Sequence, residues 1–135
     1  MRESAMTTPL VPVSQIATAA DLLKAYAAGQ RNFEYVLLAE ADLTGADLKG
    51  CDFSYADFGG ANLSGCNLRG ADLSYANLGD ANLTNTDLRG AMLIGTDLRT
   101  ATITAAQFHQ ADYDPDETHF PSGFDPVQQG LKADR

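Results

Sequence analysis

A five-residue phrase repeated without a gap constrains this chain more than any other feature. In "ADLSYANLGDANLTN", Ala71 to Asn85, Ala-(Asp/Asn)-Leu-x-x occurs three times. Followed in both directions, the unit centres fall at Phe33, Leu38, Leu43, Leu48, Phe53, Phe58, Leu63, Leu68, Leu73, Leu78, Leu83, Leu88, Leu93, Leu98, Ile103, Phe108 and Tyr113. That is 17 units, Arg31 to Pro115, with no insertion. Two residues before each centre stands a small residue: 11 Ala, Cys51, Cys66, Thr86 and Thr96, with Arg31 and Val36 as the departures. Immediately before the centre stands Asp or Asn in every unit but four, where Leu37, Met92, Thr102 and Gln107 take that place.

A five-residue period is not the 3.6 of an α-helix, which would smear the leucines around its circumference. Within each unit the small residue and the centre are two apart. In extended backbone they point one way and the Asp or Asn between them points the other. Restoring that pattern every five residues requires a turn in every unit. The last position supplies it, being Gly at 45, 50, 60, 65, 70, 90 and 95. Gly and Asn accept the backbone angles of tight turns, and Asp and Asn side chains bond nearby backbone groups at corners. The chain therefore reads as a coil of short extended sides. The centres from Phe33 to Phe108 form its core, Ala packs beside them, and Asp and Asn face out.

The phrases "ADLTGADLKG", "ANLSGCNLRGADLSYANLGDANL" and "TDLRGAMLIGTDLRT" resemble the pentapeptide-repeat proteins, over 85 of 135 residues. The flanking "THFPSGFDPVQQGL" and "ADLLKAYAAGQRNF" are similar to segments beside such repeats in cyanobacterial members. The resemblance implies an all-β fold, a right-handed quadrilateral β-helix with four units per coil. An independent pattern in the sequence agrees with four sides. Tyr35, Tyr55 and Tyr75 recur at every fourth turn position; Lys49, Arg69 and Arg89 recur at the same interval, continuing to His109. About four coils result.

A β-helix exposes unpaired strand edges at both ends, so caps are expected. Residues 1–17 read as a flexible segment. Residues 18–30 read as an N-terminal capping α-helix, about Ala19 to Ala28, with Thr18 as N-cap, Asp21 as its capping-box partner and Gly29 as its stop. Leu22, Leu23 and Tyr26 are expected on its buried face. The β-helix spans 31–115, and 116–135 form a C-terminal capping tail that offers Phe120, Phe124, Val127 and Leu131.

The net charge of −9 argues against direct nucleic-acid and anionic-membrane binding. With no long apolar run and no secretory signal pattern, a cytoplasmic protein is expected. Cys51 and Cys66 occupy inward slots and read as buried, unreactive thiols. "HQADYDPDETH" gathers His109, Asp112, Asp114, Asp116, Glu117 and His119. As a calcium loop it fails: its sixth residue is Glu117, not Gly, and its twelfth is Gly123, not Glu. A solvated acidic turn is expected there. No nucleophile–base set, phosphate loop or metal-ligand spacing is present, so no catalytic, cofactor or metal site is assigned.

The reading that follows is a non-enzymatic scaffold for an unidentified protein partner. Its candidate surfaces are two columns. Tyr35, Tyr55 and Tyr75 form either a self-stabilising ladder or a contact surface. Lys49, Arg69 and Arg89 form either a binding stripe or a set of charges balanced locally by Asp47 and Asp87. The resemblance implies an alternative, a DNA mimic that binds gyrase and other type II topoisomerases. Arg31–Pro115 carries 12 acidic and 5 basic residues, a net of −7, against roughly 12 charges on duplex DNA of similar ~20 Å height. The terminal tail reads as a cap rather than a dimer joint, which favours a monomer over an end-to-end dimer. Ser74 is expected to be exposed.

Overall fold

The computed structural model describes residues 10–134. From residue 31 onward one hydrogen-bonding pattern repeats. The middle residue of each extended trio bridges, in parallel, its equivalent four units later: Asn32 to Asp52, Leu37 to Asp57, Asp42 to Asn62 and Asp47 to Asn67 begin the four sides. In each bridge the later residue donates its N–H back across the gap while its carbonyl accepts from the centre before it. Asp52 N–H donates to Arg31 O at 2.8 Å, and Phe33 N–H donates to Asp52 O at 2.8 Å. Only the middle of each trio is bridged, because the corner in every unit keeps each extended side short. The β character is thus a set of isolated bridges. Two named strands, β1 (Asp112–Tyr113) and β2 (Lys132–Ala133), pair in parallel at the C-terminal end.

Three devices make the corners. First, from Tyr35 to Gln110 the last residue of each unit except Thr100 takes a left-handed conformation, as at Gly45 (φ 71°), Asp80 (φ 59°) and Asn85 (φ 60°). Second, the N–H after the corner closes a turn onto the centre's carbonyl, as Ala76 N–H does onto Leu73 O at 3.0 Å. Third, the outward Asp or Asn accepts from the N–H two residues on, from Asn32–Glu34 at 3.1 Å to Asp97–Arg99 at 3.1 Å. Twelve units make this third bond. That is the physical reason for Asp and Asn at this position: a short acceptor that reaches its own corner.

The interior is a continuous apolar stack. Phe33, Phe53, Phe58 and Leu38 through Leu98 are fully buried, and Phe108 nearly so. Ile103, expected in this stack, is only partly buried and packs against it. Three of the inward small residues carry a polar atom that donates to a corner carbonyl. Thr86 Oγ1 donates to Leu63 O at 2.8 Å, Thr96 Oγ1 to Leu73 O at 2.7 Å, and Cys66 Sγ to Leu43 O at 2.8 Å. Such a partner offsets the cost of burying a hydroxyl in an apolar interior.

α1 (Ala19–Ala27) carries the full capping box: Thr18 Oγ1 accepts from Asp21 N–H, and Asp21 Oδ2 accepts from Thr18 N–H. It ends in a Schellman motif, with Gln30 N–H donating to Ala25 O and Gly29 N–H to Tyr26 O, Gly29 being left-handed. Its buried face is Leu22 and Ala25, with Tyr26 partly buried. Leu23, expected there too, is 39% exposed, since it lies about 100° around the helix from Leu22. Of the flexible segment expected over 1–17, residues 1–9 lie outside the described residues. Residues 10–17 lie against the array: Ile16 is buried, and Val11 exchanges two hydrogen bonds with the Gln30 amide.

At the other end the structure moves a boundary. The five-residue frame ends at 115, but the geometry of the array continues. Asp97 bridges His119, two positions further along the chain than the other bridges reach, and Thr118 Oγ1 donates inward to Leu93 O at 2.6 Å. Thr118-His119-Phe120 is therefore a further unit, with Thr in the small slot and Phe at the centre. Two inserted residues hide it from the five-residue frame. β2 then stacks on β1 at the ordinary interval, with Leu131 buried.

Candidate functional site

The tyrosine column is one continuous ladder on the outer surface. Ring centroids of Tyr35 and Tyr55 are 5.0 Å apart at 9°, and those of Tyr55 and Tyr75 are 5.2 Å apart at 14°. The three rings remain 61%, 48% and 44% exposed. Each stands at a left-handed corner, with φ of 66°, 61° and 61°. A side chain there costs about 1–2 kcal/mol relative to glycine. Gly95 is the next residue of the column, and the Tyr75 ring leans over it. Tyr75 Oη donates to Glu117 at 3.0 Å, which holds its phenol pKa above the ordinary 10.0. Glu117 lies in the two-residue insertion, so the irregular corner closes the ladder's C-terminal end. Ser54 and Ser74, beside the rings, are buried rather than exposed. Each donates its backbone N–H to the outward Asp two residues before it, Asp52 or Asp72, which draws that carboxylate against the serine.

The basic column is held by carboxylates to differing degrees. Arg89 grips Asp87 with two bonds, Nε at 2.9 Å and Nη2 at 2.7 Å, while Arg69 Nε stands 4.0 Å from the same carboxylate. The Arg89 hydrogen bond holds the Asp87 carboxyl below its ordinary 3.8. Lys49 makes no ion pair among the described residues; Asp47 accepts only its backbone N–H, at 3.3 Å. Arg99, off this column, grips Asp97 in the same bidentate way.

The acidic, His-containing stretch does not converge. Among the described residues no three His, Cys, Asp or Glu side chains lie together as a metal would require. Asp114 instead serves as a corner acceptor for Asp116 N–H at 2.8 Å. Both thiols are buried, and burial pushes Cys51 up to about 12 and Cys66 up to about 11, so neither is a nucleophile at neutral pH. No helix among the described residues is long and apolar enough to cross a membrane.

A further feature was not singled out by sequence reasoning. A cleft of about 410 Å³ lies between residues 13–17 and the first coil, at the open end of the tyrosine ladder. The signal for it was present in Leu37, which stands where Asp or Asn is the rule and is 71% exposed.

The family model described as pentapeptide repeats matches eight copies, over residues 32–70, 51–90, 66–104 and 81–112. This chain is a pentapeptide-repeat protein. Members of the family form right-handed quadrilateral β-helices, and the bridges between units four apart are the rungs of that helix. The pentapeptide-repeat array here is similar to the crystal structure of a pentapeptide repeat protein from Nostoc Pcc 7120. Identity is 47%, the TM-score is 0.85, and the match covers 87% of this chain and 97% of that one. Also matched is a pentapeptide repeat protein from the Arabidopsis thaliana thylakoid lumen, at 37% identity over 62% of this chain and 55% of that one, TM-score 0.46. HetL, a pentapeptide repeat protein involved in heterocyst differentiation regulation in the cyanobacterium Nostoc sp. strain PCC 7120, matches at 37% identity over 70% of this chain and 46% of that one, TM-score 0.37. No curated protein matches the sequence.

Proposed function

We infer that this pentapeptide-repeat protein is a non-enzymatic scaffold that binds a protein partner through the Tyr35–Tyr55–Tyr75 ladder. Lys49, without an ion pair among the described residues, and the half-exposed Arg69 form a secondary contact. One observation carries the reading. Three tyrosines stand at left-handed corners where glycine serves elsewhere, and all three remain substantially exposed. Large aromatic rings held in place by their own stacking bind a partner with little loss of side-chain freedom. The buried interior leaves no room for a substrate, and the thiols are inert.

The test is capture of partners from a lysate of the source cells. Wild-type protein is compared with a Tyr35, Tyr55, Tyr75→Gly variant that circular dichroism shows to be folded. A protein retained by wild type and lost by the variant supports the reading. Identical captures would make the ladder purely structural. Gyrase among the captured proteins, retained by both, would favour the DNA-mimicking alternative.

A further inference from the structure

The first coil has an open strand edge beside a walled cleft. Throughout the array the middle residue of each trio turns its N–H and C=O toward the preceding coil. The first coil has no predecessor, and its edge is covered unevenly. On one side Gln30 Nε2 donates to Asn32 O at 3.2 Å; on another Tyr26 Oη donates to Lys49 O at 3.1 Å. At Leu37 the N–H and C=O have no partner among the described residues. Asp42 and Asp47, on the next two sides, have no backbone partner at N–H or C=O among the described residues either, but neither lines this cleft and each carries a charge.

The site at Leu37 has two walls and a rim. Val13, Ile16 and Ala17 form one; Tyr35 and Leu37 form the second; Glu34 marks the rim. The Tyr35 ring is stacked on Tyr55 on one face only. Glu34 has no cation against it among the described residues, and the whole chain carries −9. The cleft is therefore apolar, bordered by unused backbone groups, and negative at its lip.

We propose that this cleft docks an extended, basic peptide segment of a partner protein, which adds as a strand on Leu37. Leu37 N–H donates to a peptide carbonyl, and Leu37 O accepts a peptide N–H. An apolar peptide side chain rests on Leu37 and Tyr35, and a neighbouring Lys or Arg meets Glu34. Charge selects this occupant: a second copy of the chain brings the same −9 and is repelled. The proposal shares with the tyrosine-ladder reading only the premise that the scaffold binds proteins.

The experiment measures amide exchange and chemical shifts of the full-length, nitrogen-15-labelled protein. The probe is the capped peptide acetyl-Val-Lys-Leu-Arg-Val-amide. Its control is the charge-reversed acetyl-Val-Glu-Leu-Glu-Val-amide. The basic peptide is expected to slow exchange of the Leu37 amide by at least about tenfold and to shift residues 13–17 and 34–37. The acidic peptide is expected to do neither. Leu37→Asn abolishes the response while keeping the fold, because Asn is the residue type the corner prefers. Glu34→Gln weakens binding about threefold or more. Tyr75→Gly removes a ladder ring that touches neither Tyr35 nor the cleft and leaves the response unchanged, so the outcome is separate from that of the ladder. Equal response to both peptides, or to neither, would overturn the proposal. So would a Leu37 amide already protected in the protein alone, whether by a second copy, shown by dependence on protein concentration, or by the chain itself.

Discussion

The ring of Tyr75 fills the space in which a side chain on Gly95 would stand: a Cβ placed on Gly95 would overlap Cδ1 and Cε1 of the ring. Gly90, at another corner of the same kind, has nothing within 4 Å. Both are left-handed, with φ of 70°. Gly90→Ala therefore carries only the conformational penalty, about 1–2 kcal/mol. Gly95→Ala carries that plus displacement of the ring, at least about 1 kcal/mol more. In a Tyr75→Gly background the excess disappears. Urea melts of wild type, the three single variants and the Tyr75→Gly/Gly95→Ala double variant check this, and a Gly95→Ala cost equal to that of Gly90→Ala would show the ring is not held there.

The ladder itself gives a second expectation. Tyr55 stacks on both neighbours but sits at φ 61°. Tyr55→Ala loses both stacks and keeps the strained backbone. Tyr55→Gly loses the stacks and relieves the strain. The glycine variant should be the more stable by about 1 kcal/mol. At a position with negative φ alanine would win, so the sign alone reports the left-handed conformation.

Inward and outward positions separate cleanly in the core. Leu73 is fully buried, and Leu73→Ala should cost about 2–5 kcal/mol. Ser74 is also buried, yet its hydroxyl makes no bond among the described residues, so Ser74→Ala should stay within about 0.5 kcal/mol. Denaturant midpoints measure both; equal losses would refute the assignment of the two faces.

Acid should loosen the Asp87–Arg89 pair. The Asp87 carboxyl is held below its ordinary 3.8, chiefly by the Arg89 hydrogen bond. A depressed carboxyl contributes stability above its unfolded value, and the contribution is lost as pH falls through the folded value. Asp87→Asn keeps the corner acceptor but removes the charge. The stability gap between wild type and Asp87→Asn should be full above about pH 4 and shrink below it. A gap that stays constant in urea melts from about pH 7 down to about pH 2.5 would contradict the role given to the pair.

The repeat made most of this architecture legible. A five-residue period with Gly at its corner has few solutions, and the tyrosine and basic columns disclosed four units per coil before any coordinate. What stayed hidden depended on contacts that no local pattern records. Thr118-His119-Phe120 obeys the unit's chemistry but is shifted by two positions, and only the bridge from Asp97 to His119 reveals it. Leu23 and Leu22 are alike in sequence, yet the helix turns one inward and the other out. Ser74 points outward by its place in the unit, yet it is buried in the folded array. The cleft at Leu37 arises from where residues 13–17 cross the first coil, a long-range placement. The departure of Leu37 from the Asp/Asn rule was visible, but the open edge beside it was not.

The most direct test of the ladder as a contact surface is site-specific photo-cross-linking in the source cells. A benzophenone side chain replaces Tyr55 in one protein and Asn85 in another. Both are exposed left-handed corners, on different sides of the β-helix. The account predicts a discrete cross-linked protein from the Tyr55 position and none from the Asn85 position. No product from Tyr55, or the same products from both, would contradict it.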